Sequence, residues 1–426
     1  MLTRRQFLNL AAQASADFVL LSSIGFARRV IALDQRHVAG TPSLEERIAQ
    51  VIKEYDSQGN HRTGTETDVR SARWLAHRLE RLGLRASLEP FRLRRVNPRL
   101  CFLRSGERRI DGLPLFDASF TGADGLVGRL GHAGENTDFG LIVADETAVK
   151  AEGQPFVDLR RSGRHKAFVI AAQMLRAGLS PINARHFAQQ FGPPVLQVSS
   201  DEIEWLNALA AQRQEIRLVV HATRTFEEAY NVVARIRGND PRLLPLVVMT
   251  PRSGWWTCAA ERASGIACWL ETARALRQRR LARSVVFVAT SGHELGHMGL
   301  EAFLARRPEL QKGAFAWLHF GAGIGAAQST GSLLQSSDDE LEELAVVAMT
   351  RAGTKVDRMR PRDSMPTGEV RNIRERGGRY VSLQQTTAYF HNAADRWPAS
   401  VDIAAVARYA TAFADLAAVL AKADMN

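Results

Sequence analysis

Between residues 231 and 290 the sequence alternates short apolar runs with an amphipathic helical pattern. Residues 231–236, 244–249 and 284–290 are predicted strands, and residues 265–276 are a predicted helix. Because apolar strands in this rhythm are buried on both faces, they predict a mostly parallel central sheet with helices on both faces. The fold class is therefore α/β, and ligands are expected beyond the carboxyl ends of these strands.

The N-terminal half has a different pattern of apolar residues. Residues 44–55 and 71–82 carry apolar side chains at helical spacing, and residues 86–91 are a predicted strand. From about Val96 to Thr225, short strand-like runs are separated by Gly-rich turns. A chain of 426 residues is longer than a single hydrophobic core usually serves. We therefore predict a main α/β domain, residues 40–95 and 226–426, interrupted by a β-rich insertion, residues 96–225.

Charge and cysteine content exclude some classes of function. The formal net charge is +11, but Lys and Arg are spread along the chain without a recognition motif, so no nucleic-acid partner is expected. Cys101, Cys258 and Cys268 fit no metal-finger spacing. Buried free thiols are favoured over a Cys258–Cys268 disulfide, which stays open as the alternative.

The first 27 residues have the features of an export signal. Arg4 and Arg5 stand in a Thr-Arg-Arg-Gln-Phe-Leu sequence that is typical of twin-arginine signals. The apolar stretch 18–27 follows, too short to span a bilayer stably, and it ends in a small-x-small cleavage sequence. We expect a periplasmic or secreted protein, with no stable membrane span after signal removal.

Several segments together resemble the zinc aminopeptidases of metallopeptidase family M28. They are residues 60–65, 261–266, 285–296, and 389–391 with Asp395. The resemblance implies an aminopeptidase-type (phosphorylase/hydrolase-like) α/β fold. It also implies that the insertion is a protease-associated domain, whose usual role is to shape substrate access.

The resemblance further implies a metal site that is only partly kept. The family uses two zinc ions, but Pro251–Ser253 and His319–Gly321 replace the segments that supply two ligands of one metal. The positions that serve the other metal hold Glu261, Glu294 and His391. This trio implies one zinc ion, or none. His293 stands in the position of the general base, and a neutral imidazole can take a proton near neutral pH, since its unperturbed pKa is about 6.5.

Other interpretations of these residues stay open. Residues 293–297 also spell H-E-x-x-H, which on a helix would make His293 and His297 zinc ligands. Arg262, next to Glu261, could replace the metal charge by an ion pair, as in an inactive homologue. The assigned substrate-binding residues are Arg252, Trp255, Trp256 and His319, although loop tryptophans serve partner binding equally well.

We therefore expect an exported metal-dependent hydrolase of aminopeptidase type, acting on a peptide or amide. The alternative is a catalytically inactive homologue that binds a peptide or protein. The oligomeric state does not follow from the sequence.

Export generates the first test. Changing both Arg4 and Arg5 to Lys should abolish translocation, because twin-arginine signals require the guanidinium pair. The measurement is the periplasmic fraction of the protein, and a lysine substitution at Arg28 and Arg29 is the matched control. Unchanged export of the first variant would remove the assignment.

Overall fold

The computed structural model describes residues 42–145 and 154–422. The predicted export signal, residues 1–27, lies outside the described residues. The described residues from Leu44 onward form one compact unit.

Helices and strands alternate along most of the described chain. The helices are α1 (Leu44–Asp56), α2 (Glu66–Arg81), α3 (Gln154–Arg161), α4 (Ile203–Ala211), α5 (Ser264–Arg277), α6 (Met298–Arg306), α7 (Pro308–Gly313), α8 (Asp339–Arg351), α9 (Val370–Glu375) and α10 (Ile403–Leu420). The strands are β1 (Ala86–Ser105), β2 (Arg108–Asp111), β3 (Leu113–Pro114), β4 (Leu126–His132), β5 (Phe139–Asp145), β6 (Ala167–Gln173), β7 (Val195–Val198), β8 (Glu215–Ile236), β9 (Leu246–Pro251), β10 (Val285–Thr290), β11 (Ala316–Phe320), β12 (Ser329–Ser336), β13 (Arg358–Met359) and β14 (Tyr380–Thr387).

The strands form one mixed sheet. Its order is β13-β12-β14-β11-β9-β10-β8-β4-β5-β6-β7-β3, with β1 paired to β8 and β2 paired to β1. The central strands β14, β11, β9 and β10 are parallel, and β8 and β12 join them antiparallel. The carboxyl ends of the parallel strands therefore meet at one edge.

Alternate residues of each central strand face opposite sides of the sheet. Leu246 and Val248 of β9 join the core that contains α1, α5 and α10. Val247 and Met249 of the same strand pack on the other side, with α6, α7 and α9. Helices cover both faces, as the unbroken apolar runs predicted, and the α/β fold class is confirmed.

Two long strands connect the main sheet to a second group of strands. β1 and β8 pair antiparallel from Ala86 opposite Ala234 to Arg104 opposite Arg217, with one irregularity between Pro98 and Leu100. Beyond them, β4 to β7 are parallel and enclose a separate apolar core against α4. The predicted limits of the insertion, Val96 and Thr225, fall within this ribbon, and its identity as a protease-associated domain stays a prediction.

The predicted elements of the main domain differ from the structure chiefly in length. The strand predicted at residues 86–91 continues to Ser105, because its partner β8 pairs along its whole length. The three cysteines are free and buried, so the favoured prediction is confirmed over the disulfide. Among the described helices, α10 is long and apolar enough to span a membrane, but 56% of it is buried against the core.

A buried ion pair fastens the N-terminal helices to the sheet. Arg252, which directly follows β9, is fully buried, and its Nη1 donates to Asp68 Oδ1 at 2.8 Å. Its other Nη donates to the Tyr230 carbonyl of β8, and the Tyr55 hydroxyl of α1 donates to the carbonyl of Arg252. One guanidinium thus joins a helix and two strands. Because both charges are removed from water, loss of either partner leaves the other uncompensated.

We expect Arg252→Met to lower the free energy of unfolding by about 3–5 kcal/mol, because it strands the Asp68 carboxylate. The measurement is urea unfolding followed by circular dichroism. Arg242→Met is the matched control, since Arg242 pairs with Asp240 in solvent, and it should leave the unfolding midpoint unchanged. Equal midpoints for the two variants would contradict the structural role of Arg252.

Candidate functional site

The candidate site lies where β9, β10 and β11 end. Arg252 and Ser253 follow β9, and residues 291–294 follow β10. A π-helical turn, Ala259–Ala263, leads into α5 beside them. The loop after β14 brings His391 to the same edge.

A buried ion pair between consecutive residues is at its centre. Arg262 Nη2 lies 2.8 Å from Glu261 Oε1, and both side chains are at most 1% exposed. Arg262 Nε also donates to the Ser253 carbonyl at 2.7 Å. Burial acts to raise the pKa of Glu261, but the charge of Arg262, and next that of His391, bring it below its usual value. Glu261 is therefore an ionised carboxylate facing a guanidinium.

The turn that carries this pair is held by Asp395. Its carboxylate oxygens accept hydrogen bonds from the backbone N–H groups of Ala260 at 2.7 Å and Glu261 at 2.9 Å. Burial raises the pKa of Asp395 to about 7, against the lowering by these donors. The sequence singled out Asp395 through the family resemblance, and the structure shows that it positions Glu261.

His391 lies directly against Glu261. Its backbone N–H donates to Glu261 Oε2 at 3.1 Å, and its Nε2 is 3.6 Å from Glu261 Oε1. His391 has a φ of 55°, a left-handed conformation that is uncommon outside glycine. Its Nδ1 is 2.6 Å from the carbonyl oxygen of Pro181, which fixes the proton on Nδ1. Two of the three predicted metal ligands are thus brought together.

The third predicted ligand, Glu294, is held by neutral donors. Glu294 Oε1 accepts from the Thr63 N–H at 3.0 Å and from the Thr63 hydroxyl at 2.5 Å. Its Oε2 accepts from the Ser253 hydroxyl at 2.7 Å. Burial raises the pKa of Glu294 more than these donors lower it. Sequence reasoning missed Ser253 and Thr63, although Thr63 lies in the turn 60–65 that the resemblance had marked.

His293, predicted as the base, faces a second polar cluster. Its Nδ1 is 3.6 Å from Glu369 Oε1, and its ring centroid is 4.8 Å from that of His297. Burial, and next the charge of Arg262, hold the pKa of His293 well below its usual value, so its imidazole is neutral. Residues 293–295 form only a 3₁₀ turn, and His297 has a φ of 60°. The helix on which H-E-x-x-H would bind zinc is therefore not formed.

The four predicted substrate-binding residues are mostly enclosed. Arg252 is fully buried in its ion pair with Asp68. His319 is 1% exposed, and its Nδ1 is 2.8 Å from the Ser382 hydroxyl. Trp255 is 4% exposed, whereas Trp256 is half-buried and donates its indole N–H to the His391 carbonyl. Trp256 is the one of the four that is partly accessible in this arrangement.

The arrangement of Glu261, Glu294 and His391 does not fit a bound zinc ion. Glu261 is engaged by a guanidinium at 2.8 Å, and both oxygens of Glu294 are occupied by hydroxyl and amide donors. No group of three or more His, Cys, Asp or Glu side chains within residues 42–145 and 154–422 is placed to hold a metal ion. A dication beside Arg262 would also meet a buried positive charge, which opposes metal binding. The predicted roles of these three residues stay predictions.

Comparison with known families and structures supports the resemblance. Residues 231–417 match the family described as peptidase family M28. The sequence matches none of the curated proteins with which it was compared.

Among solved structures, the chain is similar to the zinc aminopeptidase BSAP from Bacillus subtilis, with 16% identity, 89% of this chain and 95% of that chain covered, and a TM-score of 0.73. An aminopeptidase from an Aneurinibacillus species is 14% identical over 89% of this chain and 94% of that chain, with a TM-score of 0.69. A peptidase M28 precursor from Shewanella amazonensis is 18% identical over 89% and 96%, with a TM-score of 0.68. These likenesses show the aminopeptidase-type fold. Together with the family match they support the metallopeptidase type of hydrolase.

The setting of Glu294 can be tested by one isosteric change. Thr63→Val should lower the free energy of unfolding by about 1–3 kcal/mol, because it removes the hydroxyl donor from a buried carboxyl group. Thr225→Val, at an exposed position of β8, is the control and should be nearly neutral. The measurement is chemical unfolding with and without a chelator. A loss for Thr63→Val that appears only with the chelator would mean that a metal, not Thr63, organises Glu294 in the untreated protein.

Proposed function

This chain carries a peptidase family M28 domain over residues 231–417, and from that premise we propose that it binds peptides in the aminopeptidase-type cleft without a catalytic metal. The observation that carries the proposal is the contact between Arg262 and Glu261. We further propose that the protein acts outside the cytoplasm after twin-arginine export, with a peptide as its partner and no nucleic acid.

The charge of Arg262 performs the electrostatic role that a metal ion would otherwise have. A buried carboxylate needs a compensating charge, and Arg262 supplies it at 2.8 Å with a further hydrogen bond to the Ser253 carbonyl. Burial acts to lower the pKa of Arg262, but the negative charge of Glu261, together with Cys258 and Glu294, outweighs it and raises that pKa above its usual value. The guanidinium stays protonated and is part of the chain. A metal ion therefore cannot displace it into solvent as it would displace a bound water molecule.

The site retains groups that suit a peptide ligand. Trp256 offers a half-buried aromatic face, and His391 directs its Nδ1 proton at a backbone carbonyl. Backbone N–H and C=O groups are the obligatory polar groups of any peptide. His391 already donates a hydrogen bond to the Pro181 carbonyl, and the same N–H can donate to a carbonyl group of a bound peptide.

A hydrolase with one zinc ion is the second candidate. It is favoured by the approach of His391 Nε2 to within 3.6 Å of Glu261 Oε1, since these two residues would form part of a three-ligand site. In that case the chain would act on a peptide or amide. Metal binding would require Arg262 and Glu294 both to turn away from their present partners.

The two candidates differ in metal content. We expect far less than about one zinc ion per chain in protein purified from zinc-supplemented cells, and no rise in melting temperature on adding zinc. The measurements are inductively coupled plasma mass spectrometry and thermal unfolding. Arg262→Asn is the diagnostic variant, because removing the cation should raise zinc affinity. Stoichiometric zinc in the wild type, with hydrolysis of leucine p-nitroanilide, would replace our proposal by the second candidate.

Peptide binding is tested separately with a defined mixture of octapeptides. The protein is incubated with the mixture and separated by gel filtration, and the retained peptides are identified by mass spectrometry. We expect retention by the wild type and a reduced yield from Trp256→Ala. No retained peptide from any variant would contradict the binding function.

A further inference from the structure

No molecule from outside can touch the centre of the site in this conformation. Glu261, Arg262, Glu294 and His391 are each at most 2% exposed. A binding site must open to be used, so some neighbouring segment has to move.

The loop between β6 and β7 supplies the cover. Residues 174–194 contain no helix or strand, although the loop ends are fixed by parallel strands. Structureless loops longer than about 12–15 residues are uncommon in compact domains and include active-site lids. Its middle portion is nevertheless buried, with Pro181, Ile182 and Ala184 among the enclosed residues.

This loop contacts the site through its backbone. The Pro181 carbonyl accepts the hydrogen bond from His391 Nδ1 at 2.6 Å. Three residues later, the Ala184 N–H donates to the backbone carbonyl of Glu294 at 2.8 Å. The main chain of the loop thus accepts a hydrogen bond from the His391 side chain through the Pro181 carbonyl. It also donates one to the Glu294 carbonyl through the Ala184 N–H. A bound peptide would use the same two kinds of group.

Side chains of the loop add a hydrogen bond and apolar contacts. The Asn183 side-chain oxygen accepts from the Trp255 indole N–H at 3.1 Å. Ala184 and Phe187 pack in a small apolar cluster with Phe116, Trp255 and Leu295. Ile182 and Phe187 are at most 5% exposed and are the apolar anchors of the loop, whereas Ala184 between them buries less apolar area and adds a hydrogen bond that a ligand can replace.

Two glycines shape the contacts of this loop. A Cβ on Gly296 would lie 2.4 Å from the Arg185 carbonyl oxygen, so the turn after Glu294 admits the loop only because it is glycine. Gly178, at the start of the covering segment, has a φ of 135°. This conformation favours glycine, and the hydrogen bonds between Gly178 and Ser200 fix the point from which the covering segment would have to turn.

We propose that residues 176–187 form a lid that occupies the cleft as an internal peptide, and that an incoming peptide displaces it. This inference rests on the proposed peptide-binding function. The lid satisfies the Nδ1 proton of His391 and the carbonyl of Glu294 while no ligand is bound. Affinity for an external peptide is consequently lowered by the free energy of displacing the lid.

Two variants loosen the lid by different means. Asn183→Ala removes the hydrogen bond from Trp255, and Ala184→Pro removes the N–H that donates to Glu294. Gln190→Ala is the matched control, because Gln190 is an exposed residue of the same loop. Thermal unfolding first establishes that each variant melts cooperatively near the wild-type temperature. Should Ala184→Pro fail to fold, Asn183→Ala carries the test alone.

The first measurement is hydrogen–deuterium exchange of the full mature chain by mass spectrometry. We expect faster exchange in residues 176–187 of both lid variants, with the remaining chain and the Gln190→Ala protein unchanged. The second measurement is fluorescence anisotropy with a fluorescein-labelled peptide of residues 178–188 as the probe. The lid variants should bind this probe about three- to tenfold more tightly than the wild type, since each has lost a lid contact.

The outcomes separate the lid from the binding function. Unchanged exchange and equal probe affinity in wild type and lid variants would overturn the lid while leaving peptide binding intact. Faster exchange without probe binding in any of the proteins would support a mobile cover but overturn the proposed peptide site. Faster exchange together with tighter binding supports both.

Discussion

The buried contact between Glu261 and Arg262 organises the carboxyl edge of the sheet. Two opposite charges at 2.8 Å, both removed from water, are stable only if each is satisfied by the other and by further hydrogen bonds. Those bonds come from the His391 N–H on one side and the Ser253 carbonyl on the other. The loops after β9 and β14 are consequently fixed around the pair.

A second buried guanidinium, that of Arg252, also joins segments that are remote in sequence. Arg252 joins Asp68 of α2 to the Tyr230 carbonyl of β8, and Ser291 donates to the same aspartate. The carboxyl edge of the sheet is thus built around two internal cations. Arg252 has carboxylate and carbonyl acceptors, and Arg262 donates to the Ser253 carbonyl while it faces Glu261.

The sequence predicted the central elements well because their residues follow simple periodicities. The strands β9 and β10 and the helix α5 are within two residues of their predicted limits. The polar ribbon of β1 and β8 was underestimated, since alternating Arg, Glu and Thr carry no apolar signal and the ribbon is held by cross-strand pairing. Glu261 and His391, which the resemblance assigned to one site, lie in contact in the structure. It could not show that Glu294 is directed at Thr63, or that Pro181 covers His391, because both depend on contacts between segments remote in sequence.

Arg262 is the charge partner of Glu261, and a double-mutant cycle in unfolding free energy measures the coupling between them directly. Glu261→Gln, Arg262→Met and the double variant are compared with the wild type by urea unfolding, with and without zinc. Each single change strands a buried charge, whereas the double change removes both. The double variant should therefore be less destabilised than the sum of the single variants by about 2 kcal/mol or more, independently of zinc. Additive effects within about 0.5 kcal/mol, or coupling that appears only without zinc, would contradict the account.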